Sequence, residues 1–397
     1  MNFSDCENFL KILMNGPPGH IENTKTLAIA FNNPHEGYNI IHITGTNGKG
    51  TVSKLCASAL EKSGYKVGLY ISPHISTFRE RIRINSKIIP KQKCAQITEE
   101  IVKITQERNL SIGWFEYFLF LGFLYFKQEN VDWAVIEVGV GGLLDNTNIV
   151  NSFISIITSV GFDHVELLGP TLEDIAFQKA GIIKEGRPCV IGPHCPLEVI
   201  SKVSREKRAE LICVPEISET AYNENKRIVS TAFDTLRRYG IEIQENVLDG
   251  LDIQQPCRCQ IEKINNKAVV LDVGHNPPAI SRLYQDLKNI FPGFKFVSIF
   301  AMTKGKMHEA TLRELINGTD KIYIVSSSHP KIVPYQDLAA VLNNIAQGQL
   351  VGSGDCNETV PAVLEELRDN EILVICGSFY IMKTVCDLLG ISLKGKL

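Results

Sequence analysis

The hydrophobic residues of this chain fall into short apolar runs that alternate with amphipathic segments. One amphipathic segment places Val52, Leu55, Cys56, Ala59 and Leu60 at i, i+3, i+4, i+7 and i+8, which predicts one face of a helix. Four apolar runs in the first part of the chain predict strands: IIHITG (40–45), KVGLYIS (66–72), VDWAVIEVG (131–139) and SFISIITSV (152–160). The last two runs are continuous rather than alternating, which indicates parallel strands that are covered on both faces.

The alternation begins again near the motif LDIQQP (251–256). Four further apolar runs are separated by helical segments and predict strands: KAVVLDVG (267–274), FKFVSIFA (294–301), KIYIVSS (321–327) and EILVICG (371–377). The pattern predicts an α/β fold with a doubly wound parallel-sheet N-terminal domain, residues 1–253, and a smaller Rossmann-like α/β C-terminal domain, residues 254–397. In such domains, binding sites lie at the carboxyl ends of the parallel strands.

Two other segments have a distinctive composition. The stretch WFEYFLFLGFLYF (114–126) is the most apolar of the chain, but it is shorter than the roughly 20 residues needed to cross a bilayer and it contains Glu116, so we predict a buried helix. The stretch ISKVSREKRAELI (200–212) carries charges of both signs, which predicts a helix with a solvated face.

The overall composition is that of a globular protein. Of the 397 residues, 44% are hydrophobic and 21% are charged, which excludes a disordered or collagen-like chain. The net charge of −3 supplies no overall positive field, so we expect neither nucleic acid nor a membrane as a partner. Because the 11 cysteines are odd in number and the N-terminus lacks the basic start and apolar core of a signal peptide, we expect free thiols and a cytoplasmic protein.

A glycine-rich loop lies between the first predicted strand and the amphipathic helix. It consists of Gly45, Thr46, Asn47, Gly48, Lys49, Gly50 and Thr51. Glycines let backbone N–H groups surround phosphate oxygens, and the start of a helix favours negative charge. Lys49 can reach the β- and γ-phosphates, and the following hydroxyl can bind Mg²⁺. The spacing is shorter than in the strict G-x-x-x-x-G-K-[ST] pattern, and Gly50 separates the lysine from Thr51, so the loop alone leaves a kinase, a GTPase and a ligase open.

Further short motifs narrow these alternatives. They are ISPHI (71–75), FRERIRIN (78–85), WFEY (114–117), EVGVGGLLDNTN (137–148), TSVGFDHVELLG (158–169), QKAGIIKEG (178–186), PCR (256–258), LDVGHNP (271–277) and CGSFY (376–380). Together with GTNGKGT (45–51), and in this order, they resemble the folylpolyglutamate synthase/dihydrofolate synthase family, a branch of the Mur-type amide ligases. The resemblance covers nearly the whole chain, and the inserted Gly50 is similar to the folate branch.

This resemblance implies a Mur ligase-like fold with a P-loop in the first domain. In the family, ATP phosphorylates a pteroate or folate carboxylate, and the amine of L-glutamate attacks the resulting acyl phosphate to form an amide. The substrates implied are ATP, L-glutamate and either dihydropteroate or a reduced folate, with Mg²⁺ at two sites and a monomeric protein. Because a carboxylate is a poor electrophile, the enzyme must neutralise phosphate charge and keep water from the acyl phosphate.

The resemblance also implies roles for individual residues. The nucleotide-binding residues are those of the glycine-rich loop with Asn225, Arg258 and Asp272. The metal ligands are Thr51, Ser72, Glu137 and His164. The catalytic residues are Lys49, Lys179 and His275, with Lys179 as a carbamate that supports a metal. The substrate-side residues are Phe115, Asp145, Asn146 and Ser378.

The chemistry of three of these side chains suits the implied roles. Glu137 follows an apolar strand at its carboxyl end, where a carboxylate suits a hard cation such as Mg²⁺. The guanidinium of Arg258 presents a fork of donors that suits phosphate oxygens. The ring of Phe115 suits a flat heterocycle such as a pterin.

Two departures from the family pattern bear on activity. Leu143 stands where many members have arginine, and Gly305-Lys306-Met307 stands where Asp-Lys-Asp is common. They leave open a protein that binds nucleotide without catalysing a reaction. A Mur-type ligase acting on a UDP-muramoyl precursor is a second alternative, although the Lys-Gly-Thr order of the loop counts against it. A P-loop kinase would not explain the motifs of the second domain.

Overall fold

The computed structural model describes residues 1–17, 19–216, 220–251, 253, 255–346 and 348–392. Contacts between Cα atoms divide the chain into two compact units. Unit 1 comprises Met1–Gly161 and Val165–Ile253, and unit 2 comprises Phe162–His164 and Gln254–Leu397. Within the described ranges, no helix has both the length and the apolar character needed to cross a membrane.

Unit 1 is built around an eight-stranded sheet. Its strands are β1 (Asn39–Thr44), β2 (Val67–Tyr70), β3 (Ile82–Ile84), β4 (Lys87–Ile88), β5 (Trp133–Glu137), β6 (Ile154–Ile157), β7 (Cys189–Ile191) and β8 (Leu211–Cys213), in the spatial order β4-β3-β2-β5-β1-β6-β7-β8. The pairs from β2 through β8 in this order are parallel, and β3 and β4 add an antiparallel edge.

Helices cover both faces of this sheet. They are α1 (Phe3–Met14), α2 (Ile21–Ala30), α3 (Lys49–Lys62), α4 (Lys91–Glu107), α5 (Trp114–Gln128), α6 (Val165–Leu168), α7 (Leu172–Ala180), α8 (Leu197–Glu206) and α9 (Ala221–Arg238). Successive strand residues point to opposite faces. Ile40 accordingly packs with α4 and α5, whereas Ile41 packs with α3 and α9. Because both faces are buried, the central strands are apolar at nearly every position.

Unit 2 has a second, six-stranded sheet. Its strands are β9 (Gln260–Ile264), β10 (Lys267–Asp272), β11 (Lys295–Phe300), β12 (Lys321–Ser326), β13 (Leu350–Asp355) and β14 (Glu371–Cys376), in the order β13-β12-β11-β14-β10-β9. All pairs are parallel except that of β9 with β10. The helices are α10 (Pro277–Ile290), α11 (His308–Gly318), α12 (Tyr335–Ile345), α13 (Cys356–Glu366) and α14 (Phe379–Leu388). One hydrophobic cluster joins α10, α11 and α12 to this sheet.

The structure confirms the α/β architecture with its two parallel sheets. The apolar helix predicted at 114–126 is α5, in which Tyr117 and its neighbours through Phe126 are buried. The helix predicted over 200–212 is wrong at its C-terminal end, because α8 stops at Glu206 and Arg208 takes a left-handed φ of 48°. The last residues of that stretch, Leu211 and Ile212, pair with β7 instead.

Candidate active site

The glycine-rich loop joins β1 to α3 at the carboxyl end of the sheet. Gly48 takes φ +85° as the residue that caps the start of α3, a left-handed conformation that suits glycine. A Cβ at Gly45 would lie 1.9 Å from Thr158 Oγ1, so the bare backbone lets the loop pass directly over the end of β6. Gly50 and Thr51 lie in the first turn of α3, whose N–H groups have no partner within the helix.

Two hydroxyl residues that follow β6 hold this loop in shape. Thr158 Oγ1 donates to Asn47 O at 2.6 Å, and Ser159 Oγ accepts from Asn47 N at 3.0 Å. Thr46 N donates to Ser159 O at 2.8 Å, and its hydroxyl exchanges hydrogen bonds with the main chain of Gly161 at 3.0 and 2.9 Å. Sequence reasoning missed both hydroxyl residues, although the motif TSVGFDH contains them.

The predicted nucleotide-binding residues of unit 1 converge on this loop. Lys49 Nζ donates to the carbonyl oxygens of Gly45 at 2.9 Å and Thr46 at 3.3 Å, so the ammonium group lies over the loop. Asn225 of α9 reaches the same place, because a Cβ at Gly48 would lie 2.5 Å from Asn225 Oδ1. Positions far apart in sequence therefore form one cradle of backbone N–H groups, an ammonium and a side-chain amide.

Ser72 and Glu137 meet at the ends of two neighbouring strands. Glu137 is the last residue of β5, lies in register with Ile43 of β1 and is 3% exposed. Its Oε2 accepts the N–H of Ser72, just beyond β2, at 2.9 Å. The carboxylate and the hydroxyl of Ser72 are hard oxygen donors of the kind that Mg²⁺ prefers. In the described part of the chain, no group of three or more His, Cys, Asp and Glu side chains forms a metal-binding cluster.

Lys54 is a buried cation of α3 that sequence reasoning did not identify. Burial lowers the pKa of its amine to about 8, and the charge of Arg83 acts in the same direction. The carboxylates of Glu80 and Glu137 oppose this effect by stabilising the charged amine. A cation of this kind has no local sequence signal, because only the folded chain brings it near Glu137.

The β5 loop, residues 139–148, brings together predicted substrate-side residues. Asp145 Oδ2 accepts from Val140 N at 3.0 Å, and Oδ1 accepts from Thr147 N at 2.9 Å and Thr147 Oγ1 at 2.5 Å. The ring of Phe115 lies against Gly139, where a Cβ would be 2.7 Å from the ring and 3.1 Å from Asp145 Oδ2. Burial raises the pKa of Asp145, although these donors lower it. The Asp145 carboxylate is therefore directed at its own loop and shapes the surface beside Phe115.

Two more predicted residues belong to this region of unit 1. Asn146 is buried at the start of a short 3-10 helix, Asn146–Ile149. Lys179 lies in the last turn of α7 and is only 3% exposed. The β5 loop rests on the same helix, because Leu143 N donates to Gln178 O at 2.7 Å. Leu143 thus contributes a main-chain bond at the position where many family members have arginine.

In unit 2, predicted residues gather beyond the end of β10. Asp272 accepts from Cys259 N at 2.8 Å and from Gly274 N at 2.6 Å. Burial raises the pKa of Asp272, and the nearby charge of Arg258 acts in the opposite direction. The Arg258 guanidinium lies over the ring of Phe379, 5.4 Å from its centre.

Ser378 and His275 flank the same phenylalanine. Ser378 is 2% exposed and caps α14, with its Oγ accepting from Tyr380 N at 3.2 Å. The His275 ring centre is 6.3 Å from that of Phe379. His275 Nδ1 lies 2.9 Å from Val273 O, and because a carbonyl only accepts, this nitrogen carries a hydrogen.

Asp163 connects His275 to the predicted metal ligand His164. Its Oδ1 accepts from Lys306 Nζ at 2.6 Å, and its Oδ2 accepts from Asn276 Nδ2 at 3.0 Å and lies 3.5 Å from His275 Nε2. Lys306 Nζ is also 3.0 Å from His164 Nε2. Burial raises the pKa of Asp163, but the hydrogen bond from His275 and the charge of Lys306 outweigh it and hold the pKa well below its usual range. Gly305-Lys306-Met307 thus departs from the family pattern, but its lysine pairs with Asp163.

The sequence and the fold of this chain are similar to those of known proteins. Residues 257–379 match the family model of the Mur ligase, glutamate ligase domain. The chain is 30% identical to the dihydrofolate synthase/folylpolyglutamate synthase of Escherichia coli (strain K12), over 90% of this chain and 88% of that protein. Its fold is similar to that of E. coli FolC in complex with DHPP and ADP, with a TM-score of 0.88, 27% identity and 97% of both chains covered. It is also similar to the bifunctional folylpolyglutamate synthase/dihydrofolate synthase from Yersinia pestis complexed with AMPPNP and Mn ion, with a TM-score of 0.85, 25% identity and 98% of both chains covered.

Proposed function

The chain belongs to the dihydrofolate synthase/folylpolyglutamate synthase family, and from this premise we propose that it is an ATP-dependent ligase that joins L-glutamate to a pteroate or folate carboxylate. The first domain, residues 1–253, binds ATP and the pterin part of the acceptor. The second domain, residues 254–397, supplies the glutamate side and further contacts to the phosphates. The protein acts as a monomer on these small molecules.

One observation carries the proposal most directly. The phosphate loop after β1 and the Ser72–Glu137 hydrogen bond lie at the same carboxyl edge of one sheet, on strands that are neighbours. This edge offers backbone N–H groups and an ammonium for phosphate, and hard oxygen donors for a divalent cation. This edge can therefore hold a nucleotide together with its metal ion, as the first step of the ligase reaction requires.

The proposed reaction proceeds in two steps. A carboxylate oxygen of the acceptor attacks the γ-phosphorus of ATP, and ADP leaves. The amine of L-glutamate then attacks the acyl carbon, a proton leaves the nitrogen, and the bond to the phosphate oxygen breaks to release inorganic phosphate. Lys49 and the loop N–H groups bind and orient the phosphates, Asn225 holds the nucleotide, and Arg258 and Asp272 contribute from the second domain.

The oxygen donors of Ser72 and Glu137 fit Mg²⁺, which when bound would neutralise phosphate charge. The ligands would be Thr51, Ser72, Glu137 and His164, divided between two sites. Lys179 would act as a carbamate, and its 3% exposure supports this role because a buried position shields a carbamate from water. On the glutamate side, His275 and Ser378 orient the amino acid, with His275 held at Asp163.

The experiment that tests the ligase is ADP release with Mg²⁺-ATP and L-glutamate, run in parallel with 7,8-dihydropteroate and with a reduced folate. We expect turnover with at least one acceptor. Turnover with dihydropteroate assigns a dihydrofolate synthase, turnover with the reduced folate assigns a folylpolyglutamate synthase, and turnover with both assigns a bifunctional enzyme. A protein that binds ATP but releases no ADP with either acceptor contradicts the proposal.

The carbamate of Lys179 has a separate test that does not depend on turnover. Protein equilibrated with ¹³C-bicarbonate should show a carbamate signal in the ¹³C NMR spectrum that is lost in Lys179→Arg. Lys184→Arg is the matched control, because Lys184 is a half-buried lysine of the same unit, and burial lowers the pKa of its amine to about 8. A signal that survives in Lys179→Arg, or that vanishes in Lys184→Arg, contradicts the assignment.

A further inference from the structure

A buried hydrogen-bond chain connects the middle of β1 to the β5 loop. We propose that His42, acting through Thr147, is a positioning residue that holds the β5 loop in the shape that binds the pterin part of the acceptor. This inference rests on the proposed ligase function and adds to it a residue that lies outside the phosphate, metal and substrate motifs.

His42 is fixed in the centre of the unit 1 sheet. It lies in β1 between β5 and β6, in register with Ile136 and Ser155, and its side chain is fully buried. Its Nε2 is 2.9 Å from Thr147 Oγ1 of the β5 loop. A ring carried by a strand with hydrogen-bonded neighbours on both sides cannot shift easily, so it provides a rigid reference point for a loop.

The direction of each hydrogen bond follows from the chemistry of the partners. Thr147 Oγ1 donates to the carboxylate of Asp145, which can only accept when ionised. The same hydroxyl must therefore accept from His42, so Nε2 carries the hydrogen of the neutral ring. His42 Nδ1 is correspondingly buried with no hydrogen-bond partner among the described residues. A neutral ring agrees with the burial of His42, which lowers its pKa well below the usual range, and with the nearby charge of Lys184.

The hydrogen-bond chain from His42 ends where the acceptor is expected to bind. Thr147 fixes one oxygen of Asp145, and the other oxygen accepts from the N–H of Val140. The preceding residue, Gly139, lies against the ring of Phe115. Without the bond from His42, the Thr147 hydroxyl is free to rotate away from Asp145. The surface formed by Gly139 and Phe115 then loses its fixed shape.

A second set of hydrogen bonds holds the β5 loop, so we expect the loss of the His42–Thr147 bond to change the loop locally and not to unfold it. Asn148 Nδ2 donates to Leu143 O at 3.1 Å and to Gly181 O at 3.0 Å. Lys184 Nζ in turn donates to Asn148 Oδ1 at 2.8 Å. These bonds do not involve His42, so they keep the loop attached to α7 when the His42–Thr147 bond is removed.

The test compares variants that remove or keep the hydrogen bond. Thr147→Val and His42→Phe remove it, whereas Thr147→Ser keeps the hydroxyl and His42→Gln keeps an N–H near the place of Nε2. The matched control is Thr98→Val, because Thr98 is also a fully buried threonine whose hydroxyl bonds to a side chain, that of Tyr117, away from the β5 loop. The readouts are the calorimetric Kd of 7,8-dihydropteroate with Mg²⁺-ADP present, the KM of each substrate, and the melting temperature.

Thr147→Val and His42→Phe should each weaken dihydropteroate binding about tenfold, the effect of losing one buried hydrogen bond. The KM values of ATP and glutamate should stay within about twofold of the wild-type values. The double variant with Thr147→Val and His42→Phe should bind dihydropteroate no more weakly than the weaker-binding single variant, because the two substitutions remove the same bond. Thr147→Ser and His42→Gln should bind nearly as the wild type does, and Thr98→Val should lower the melting temperature without weakening binding.

Three results overturn the inference, and they differ in meaning. If the wild type binds dihydropteroate and Thr147→Val binds it equally well, or if Thr98→Val weakens binding as much as Thr147→Val does, the positioning role is wrong while the ligase proposal stands. If the wild type binds neither dihydropteroate nor a reduced folate, the ligase proposal fails, and the role of His42 fails with it.

Discussion

Gly48 and Asn225 lie so close together that a Cβ at position 48 would be 2.5 Å from Asn225 Oδ1. Gly48 caps the N-terminal end of α3, and Asn225 belongs to the first turns of α9. The amide can approach the loop only because residue 48 has no side chain. Glycine is therefore suited to position 48 for two reasons. It leaves room for the amide of Asn225, and it takes the left-handed φ of +85° at the start of α3.

Gly48→Ala should weaken nucleotide binding at least about tenfold, since displacing Asn225 or the loop by the overlap of an added Cβ costs roughly 1.4 kcal/mol or more of binding free energy. The measurement is the calorimetric Kd of Mg²⁺-ADP. Gly64→Ala is the matched control, because Gly64 also has a left-handed φ, +95°, but a Cβ there meets no atom of the described residues within 4 Å. Both variants should lose about 1 kcal/mol of stability through backbone strain. Equal nucleotide affinities in the two variants would contradict the role of the Gly48–Asn225 approach.

Glu137→Gln should raise the Mg²⁺ concentration needed for half-maximal ADP release by about tenfold or more, because the variant loses a charged oxygen donor. The amide oxygen of glutamine can still accept from Ser72 N, the bond that Glu137 Oε2 makes at 2.9 Å, so the local fold should persist. Glu198→Gln, at an exposed glutamate of α8, is the control and should leave the Mg²⁺ dependence unchanged. An unchanged Mg²⁺ requirement in Glu137→Gln would exclude this carboxylate as a ligand.

Arg258→Lys should raise the KM of ATP about fivefold to tenfold, because lysine lacks the planar fork and cannot stack on an aromatic ring as the guanidinium does. In the structure this guanidinium lies 5.4 Å from the centre of the Phe379 ring. The control is Arg313→Lys, at an exposed arginine of the same unit that pairs with Glu309 on the surface. Steady-state kinetics at saturating acceptor and glutamate measure the effect. Equal KM values for the two variants would place Arg258 outside the nucleotide site.

The sequence predicts the central strands of both sheets well and their edges poorly. Strands such as β1 and β5 are buried on both faces, so every position is apolar and the pattern is strong. The strands that were missed are short or partly exposed. In β13, LVGSGD, buried and exposed positions mix with glycines, and β8 has only three residues after a charged helix. Such strands are defined by their neighbours more than by their own composition.

The residues of the candidate site also differ in how far the sequence predicts them. Residues inside recognisable motifs, such as Lys49 and Glu137, can be proposed from the sequence because a local pattern carries them. The pairs of residues that organise the site cannot be predicted in this way, because each pair joins distant parts of the chain. The bond between His42 and Thr147 and that between Asp163 and Lys306 are examples. A histidine within an apolar strand resembles any other core residue until its partner is known.

The ion pair between the half-exposed Lys321 and the buried Glu371 should make the stability of the protein depend on pH. Lys321 Nζ donates to Glu371 Oε1 at 2.7 Å, and Arg368 N donates to Oε2 at 3.0 Å, with Glu371 only 5% exposed. Burial raises the pKa of Glu371, but the hydrogen bond from Lys321 outweighs it, and the net pKa is lowered. A carboxyl with a lowered pKa in the folded state stabilises the protein above its unfolded pKa of about 4.3, and this stabilisation is lost as the pH falls through the folded value.

Glu371→Gln should therefore lower the free energy of unfolding by about 1 kcal/mol at pH 7, because solvent screens the charge of the half-exposed Lys321 and reduces the effect of losing the ion pair. The difference from the wild type should shrink as the pH falls below about 4, because the wild-type carboxyl becomes protonated as well. Urea unfolding at pH 7, 5 and 3.5, followed by circular dichroism, measures both quantities. Glu309→Gln, which removes an exposed pair with Arg313, is the control and should change stability little at any pH. A difference for Glu371→Gln that stayed constant from pH 7 to 3.5 would mean that its charge does not stabilise the fold.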